Sequence, residues 1–291
     1  MRIAVFDVGG TFIKHSLMID DVMTSQGKVP TPRDSQEDFL STIETLLDDM
    51  QDVEGIAFSM PGVIDVKRKY IHAGGSLTYN NHTDVTLWEK RFQLPIEIEN
   101  DARCAAIAEL ETGNMQGISQ GIVLTFGTGV GGGLIINGDI YKGSHFIAGE
   151  VSVIFSKDPQ IHHSQGLFGA IGSVYNLVEK IAKAKNSDTH DGKEVFDWIA
   201  KGDSISVNIF EEYCREVTLE FHNIQCLLDP QRICIGGGVS ENPIFIAGLQ
   251  KAIDNFYATL PIQFPHAEIM KCRYCNDANM LGAYYHYKKQ R

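Results

Sequence analysis

The sequence predicts an α/β protein of two related domains facing each other across a cleft, and two observations carry that prediction. A β-type run (residues 2–8), a glycine turn (Gly9-Gly10-Thr11) and a returning β-type run (12–19) open the chain. The same order recurs at 121–126, at Gly127-Thr128-Gly129-Val130-Gly131 and at 132–136, closed by the hairpin signal Asn137-Gly138. At 291 residues the chain is long enough for two such units.

The elements between follow from period and punctuation. Asp20-Asp21 turns the chain into a third strand before Pro30 and Pro32. From 35 to 50, Phe39, Leu40, Ile43, Leu46 and Leu47 recur at helical spacing with acids on the other face, as in a helix packed on a sheet. A strand at 55–60 breaks at Pro61-Gly62, and a loop-rich stretch leads to a short strand at 96–98 that runs into Asn100-Asp101. The alanine-rich segment 102–112 is helical and Gly113 ends it. Helices follow at 173–185 and 207–228, then a buried strand at 232–235 entering Gly236-Gly237-Gly238, and a last helix over 276–290.

With 43% hydrophobic and 21% charged residues the composition is that of a soluble globular protein. The formal charge of −12, from 25 basic and 37 acidic residues, repels nucleic acid and anionic membranes. No run is long and apolar enough to span a membrane and no signal peptide opens the chain, so a cytoplasmic protein is expected. The six cysteines lie scattered in periodic segments and are expected to be reduced; only Cys272 and Cys275 have metal-like spacing, and a single pair is a weak zinc signal.

Glycines after a strand let consecutive backbone N–H groups approach a phosphate, and a threonine adds a hydroxyl donor. Asp7-Val8-Gly9-Gly10-Thr11 and Gly127-Thr128-Gly129-Val130-Gly131 both meet that requirement, though either alone also suits a plain hairpin turn. Asp7, an acid beside such a turn, calls for a cation between it and phosphate, and Mg²⁺ held through water is the natural one. Gly236-Gly237-Gly238 would let a ribose or flat ring lie against the backbone, or simply form a tight strand-to-helix turn. Asp101 stands at a strand-to-helix junction, where an Asp is commonly an N-cap. Beside Asn100, which offers a donor and an acceptor to a sugar hydroxyl, it also suits an acceptor of the hydroxyl proton in phosphoryl transfer.

These motifs, in this order, resemble the ROK family of sugar kinases and repressors in the actin-like ATPase superfamily, and most nearly its β-glucoside kinase branch. Asp7 to Thr11 is similar to its first phosphate motif, Pro61-Gly62-Val63 to its sugar-side loop, and Glu99-Asn100-Asp101-Ala102 to its catalytic motif. Gly127 to Gly131 is similar to its second phosphate motif, Ala148-Gly149-Glu150 to its sugar-binding acid, and Gly236 to Gly238 to its adenosine loop. The resemblance implies two RNase H-like domains, 1–117 joined by the helix 276–291, and 118–275. It implies ATP with Mg²⁺ as phosphate donor, a hexose hydroxyl, usually O6, as acceptor, Asp101 as catalytic base and a homodimer. Gly62, Val63, Asn100, Asp101 and Glu150 would hold the sugar. Asp7, Gly9, Gly10, Thr11, Lys14, Gly127, Thr128, Gly129 and Gly236 to Gly238 would hold the nucleotide.

The chain departs from the family pattern where Val153 replaces a histidine and where Gln160 to Phe168 replaces a cysteine-rich zinc loop. No structural zinc is therefore expected, and His162-His163 are expected to be exposed loop residues. A second sugar-binding acid falls at Leu167 or Phe168. Two polar contacts to the C1/C2 end of the sugar thus become apolar, which suits a substituent on C1 and hence a β-glucoside such as cellobiose. The alternatives are a kinase for free glucose or N-acetylmannosamine, or a sugar-responsive regulator. Regulators of the family carry a DNA-binding segment ahead of the first phosphate strand, whereas here that strand starts at residue 2.

Overall fold

The computed structural model describes residues 1–291. In chain order the elements begin β1 (Arg2–Val8), β2 (Phe12–Ile19), β3 (Val22–Pro30), α1 (Gln36–Asp48), β4 (Gly55–Met60), β5 (Val63–Asp65), β6 (Tyr70–Ala73), β7 (Thr83–Asp84), α2 (Thr86–Phe92), β8 (Ile96–Asn100) and α3 (Asp101–Thr112). They continue with β9 (Gln120–Phe126), β10 (Val130–Ile136), β11 (Asp139–Ile140), α4 (Pro159–His162), α5 (Phe168–Ile171), α6 (Val174–Ala184), α7 (Gly192–Ala200) and α8 (Ser204–Leu228). β12 (Arg232–Gly236), α9 (Pro243–Thr259), β13 (Glu268–Lys271) and α10 (Ala278–Gln290) complete the chain.

The chain forms two compact units. The first comprises Met1–Thr112, Lys142–Ala148 and Asp277–Arg291; the second comprises Gly113–Tyr141 and Gly149–Asn276. The sequence put the division at 117/118 and gave all of 118–275 to the second unit. The Lys142–Ala148 loop instead belongs to the first, because Arg103 of α3 donates to the Phe146 carbonyl at 2.6 Å and Lys142 pairs with Glu99 at 2.5 Å. No local pattern in the sequence announces that docking.

Each unit has a five-stranded sheet, ordered β3-β2-β1-β4-β8 in one and β11-β10-β9-β12-β13 in the other. In both, the first three strands are antiparallel neighbours and the last three run parallel. The repeat visible as strand, glycine turn and strand is therefore a repeat of the whole sheet. Asp20 and Asp21 sit at φ 46° and 70°, and Asn137 and Gly138 at 56° and 74°, as two-residue hairpin turns require.

Period and burial agree closely in β1. Ala4, Phe6 and Val8 face a core with Phe39 and Ile43 of α1, Phe58 of β4 and Trp88 of α2. Ile3 and Val5 face the other way, onto Cys104 of α3 and Met280, Ala283 and Tyr284 of α10. A strand covered on both faces must be apolar throughout, which is why 2–8 reads as a continuous run. The stretch after Pro61, read as loop, contains a three-stranded sheet, β5-β6-β7, and α2. Strands of two to four residues are too short for alternation to register. α9 begins on an Asn242 cap with Pro243 in its first turn, a start signal that was present in the sequence.

α10 packs on α3 so closely that a Cβ at Gly282 would lie 1.7 Å from the Cys104 carbonyl oxygen. Backbone cannot yield as a side-chain tip can. Gly282→Ala is therefore expected to destabilise the protein by about 3 kcal/mol, at the upper end of ordinary overpacking, read as a lowered urea midpoint. An unchanged midpoint would mean that the two helices are not held at this distance.

Candidate active site

In the first unit the parallel strands β1, β4 and β8 end side by side, with Asp7 registered to Ser59 and Met60 to Asn100. Ligands of open α/β sheets bind beyond such carboxyl ends. Asp7 is 7% exposed, and its Oδ1 accepts from Ser59 Oγ at 2.9 Å and from Asn279 Nδ2 of α10 at 3.0 Å, while Oδ2 faces Lys14 Nζ at 3.7 Å. One carboxylate oxygen is thus fixed by two neutral donors.

The adjoining turn is held through the Gly9 N–H and through its carbonyls. Gly9 N–H donates to Phe12 O, Thr31 Oγ1 to Gly9 O, Arg33 to Gly10 O and Thr31 N–H to Thr11 O. Gly62, at φ 107°, lies so close to the β6 end that a Cβ would fall 1.9 Å from Ala73 O. Ser76 Oγ in turn stands 3.0 Å from where a Gly10 Cβ would be, so the Pro61-Gly62-Val63 loop and the first glycine turn share a neighbour segment.

Asn100 is 4% exposed and its amide is used twice: Nδ2 donates to Gly62 O at 3.1 Å and Oδ1 accepts from Arg103 N–H at 3.2 Å. The second bond is an N-cap bond, so Asn100, not Asp101, caps α3. Asp101 is the first residue of the helix and its Oδ1 accepts from Ala102 N–H at 2.8 Å. Burial pushes the Cys104 thiol well up, and the carboxylates of Glu99, Asp7 and Asp101 add to that shift, opposed by Ser59.

The second unit has the corresponding geometry. β12 runs parallel to β9 with Gly236 opposite Thr125. Gly237, at φ 86°, rides over the end of β9, where a Cβ would meet Phe126 O at 2.2 Å. The Gly236-Gly237-Gly238 loop and the turn starting at Gly127 are thus neighbours. Gly127 O accepts from Val174 N–H at 2.9 Å, setting the turn against the N-terminus of α6, whose cap is Ser173. Nothing lies within 4 Å of a Cβ placed on Gly127, and Thr128 is exposed. The Gly127 N–H donates to Gly129 O at 3.0 Å and the first N–H groups of α6 are taken by Gly127 O and Ser173 Oγ, so the turn is closed by its own bonds and presents Thr128 at its tip.

Glu150 is half-buried and precedes a helical turn, Val151–Val153, in which Val153 is 64% exposed. Phe155 forms an antiparallel bridge with Leu167, and Phe168 N–H donates to Ile154 O, so the residues that follow Val153 pair with the segment 167–168. Phe168 is fully buried in the second unit's core and Leu167 is half-buried, which leaves Leu167 as the outward-facing one. His162 and His163 are exposed, on short helical turns. Cys275 lies 3.7 Å from Ser240 Oγ, and no group of three or more His, Cys, Asp and Glu side chains could hold a metal ion.

Sequence reasoning missed Ser59 and Asn279, the partners of Asp7, and Arg103 and Lys142 behind Asp101. Asn279 is separated from Asp7 by 272 positions, and nothing in its own surroundings marks it.

A ROK family profile matches residues 3–290, and the chain belongs to the ROK family. A beta-glucoside kinase of Listeria monocytogenes is 30% identical over 297 residues, covering 100% of this chain and 98% of the relative. A ROK family protein of Streptococcus pneumoniae solved in complex with sucrose superposes with a TM-score of 0.88 at 29% identity, covering 100% of this chain and 99% of that one. A ROK family glucokinase of Streptomyces griseus, in complex with glucose and AMPPNP, gives 0.83 at 26% identity, with 97% and 98% covered. The two α/β units have the actin-like ATPase fold that the sequence led one to expect. No helix is long and apolar enough to cross a membrane.

Because Asn100 is the cap, Asn100→Ala is expected to lower stability by about 1–2 kcal/mol, whereas Asp101→Asn loses only a dipole contribution of about 0.3–1 kcal/mol. Urea unfolding of both variants reads this, and a larger loss for Asp101→Asn would reverse the assignment.

Proposed function

We propose that this protein is an ATP-dependent sugar kinase that transfers the γ-phosphate to O6 of a glucosyl unit, with a β-glucoside such as cellobiose as acceptor. The observation that carries it is the placement of Asp101: at the carboxyl end of β8, relieved of capping by Asn100, in a sheet whose β1 carries Asp7 next to its last residue. Phosphoryl transfer needs an oriented hydroxyl and stabilised charge more than covalent help from the protein. Asp101 would orient the attacking O6 and take its proton late in the transfer, as the bond from the γ-phosphorus to the ADP oxygen breaks. The helix N-terminus keeps its carboxylate ionised. Gly62, Val63, Asn100 and Glu150 would hold sugar hydroxyls.

The N–H groups of Gly10, Thr11, Thr128 and Gly129 would take phosphate oxygens, Gly9 and Gly127 would shape the two turns through their own bonds to Phe12 O and Gly129 O, and Gly236 to Gly238 would take the adenosine. Asp7 fits Mg²⁺ held through water: it is a single carboxylate with one oxygen fixed and the other beside Lys14. The lack of an all-protein metal cage suits an ion that relies on water and substrate phosphates. When bound, Mg²⁺ would neutralise the phosphate charge.

The acceptor is argued from Val153 and Leu167. An apolar wall at the C1/C2 end does not reward a free hydroxyl, and so tolerates a substituent there. The beta-glucoside kinase relative supports this choice, as does the sucrose in the S. pneumoniae protein, a disaccharide whose glucosyl C1 is substituted. A homodimer, a cytoplasmic location and magnesium as the metal belong to the same proposal, on family likeness.

ADP release with ATP and Mg²⁺ over glucose, cellobiose, gentiobiose, N-acetylmannosamine and fructose tests the proposal. Cellobiose is expected to exceed glucose in kcat/KM by about tenfold, the size of one discriminating contact. Equal turnover of the two would refute the β-glucoside assignment, and no release above background with any sugar would refute the kinase.

A further inference from the structure

Behind Asp101 lies a buried group of charges that the proposed reaction does not use. Glu99, two residues before Asp101, is wholly buried. Its Oε1 accepts from Asn100 N–H at 2.9 Å, and its Oε2 meets Lys142 Nζ at 2.5 Å. Arg103, equally buried, places Nη1 at 3.7 Å from Glu99 Oε1. The other end of that guanidinium reaches the Lys142–Ala148 loop: Nη2 donates to Phe146 O at 2.6 Å and stands 3.4 Å from Ala148 O. The loop closes on itself through Ala148 N–H to Lys142 O at 3.2 Å.

A buried carboxylate is tolerated only when paired, and here both cations that pair it also grip one loop. Phe146 sits in that loop at φ 60°, a conformation that a non-glycine residue holds only when its surroundings impose it. Its ring stacks on His72 of β6 at 6.0 Å. His286 of α10 and the Cys104 thiol, which burial pushes well up and so keeps neutral, are the other titratable groups that Glu99 acts on. Burial pushes the His286 imidazole down to about 4, so it is neutral at physiological pH and does not replace Lys142 as a counter-charge.

We propose that Lys142 is a positioning residue for the sugar site, closing with Glu99 and Arg103 a clamp that sets the Lys142–Ala148 loop on the first turn of α3. Ala148, whose carbonyl faces Arg103, is followed directly by Gly149 and Glu150. Glu99 and Arg103 flank Asn100 and Asp101 in the chain, so the clamp holds the segment that carries the proposed sugar contacts of the first unit. The nucleotide residues Asp7 to Lys14 lie outside it. Loss of Lys142 loosens the sugar and leaves ATP binding alone. The kinetic part of this inference rests on the kinase proposal above.

The test uses the full-length protein and four forms: wild type, Lys142→Met, Lys142→Arg, and the double variant Glu99→Gln/Lys142→Met. The double variant removes the Glu99 carboxylate together with the Lys142 ammonium, so that no carboxylate stays buried there, while Arg103 keeps its bonds to the Phe146 and Ala148 carbonyls; urea unfolding of each form shows that it is folded. Steady-state kinetics in the sugar and in ATP, together with amide hydrogen exchange across residues 144–148 of the apoprotein, are the measurements. Lys142→Met and the double variant are expected to raise the sugar KM by about tenfold, equal to about 1.4 kcal/mol, with the ATP KM unchanged. Both should speed exchange in the loop, and Lys142→Arg should restore both properties. A double variant with wild-type sugar KM and wild-type exchange would overturn the proposal. So would sugar and ATP KM values rising together, or an arginine variant no better than the methionine one. If the wild type phosphorylates no sugar, the kinase proposal fails by itself, while the exchange data still decide whether the clamp exists.

Discussion

The Asn100 side chain is the constraint on which the first unit's active end depends. Its Nδ2 holds the carbonyl of Gly62 and its Oδ1 holds the N–H of Arg103, so one amide fixes the exit of β4 to the entry of α3. An apolar residue at 100 would leave both backbone groups unpaired in a buried place, and a carboxylate would repel the Gly62 carbonyl. With the cap made by Asn100, the carboxylate of Asp101 stands at a helix N-terminus without having to terminate it. An ionised acid can be kept there for chemistry.

The same economy of placement holds across the sheet. β1 carries two cores, one on each face, and has Asp7 next to its last residue, so the packing that makes the strand apolar also fixes the height of its one acid. α10, the last element of the chain, supplies Asn279 to that acid and can do so because Gly282 lets it approach the backbone of α3. The far end of the sequence thereby sets the orientation of a residue near its start.

What could be read from the sequence is what local chemistry dictates. Glycine turns after apolar strands, Ser35 and Ser173 as helix starts, Asn137-Gly138 as a hairpin and the repeated strand pairs all follow from neighbours within a few residues, and the fold class came from them. Asp101 was legible as a junction residue, but its separation from the capping role was not, because that turns on which of two adjacent polar side chains reaches the N–H of Arg103. The uncertainty between Leu167 and Phe168 was of the same kind. A register of one residue decides which side chain enters the core, and only packing fixes it. The Lys142–Ala148 loop and Asn279 were beyond reach because their partners are remote in the chain.

The central claim is that Asp101 accepts the proton in a phosphoryl transfer and does little else. The most direct measurement compares Asp101→Asn with wild type in ATP binding, sugar binding and turnover. The account predicts binding of both substrates within a few-fold of wild type and a turnover lower by about 10²–10⁴-fold, the range for loss of a general base. Turnover close to wild type, with either binding constant, would contradict it.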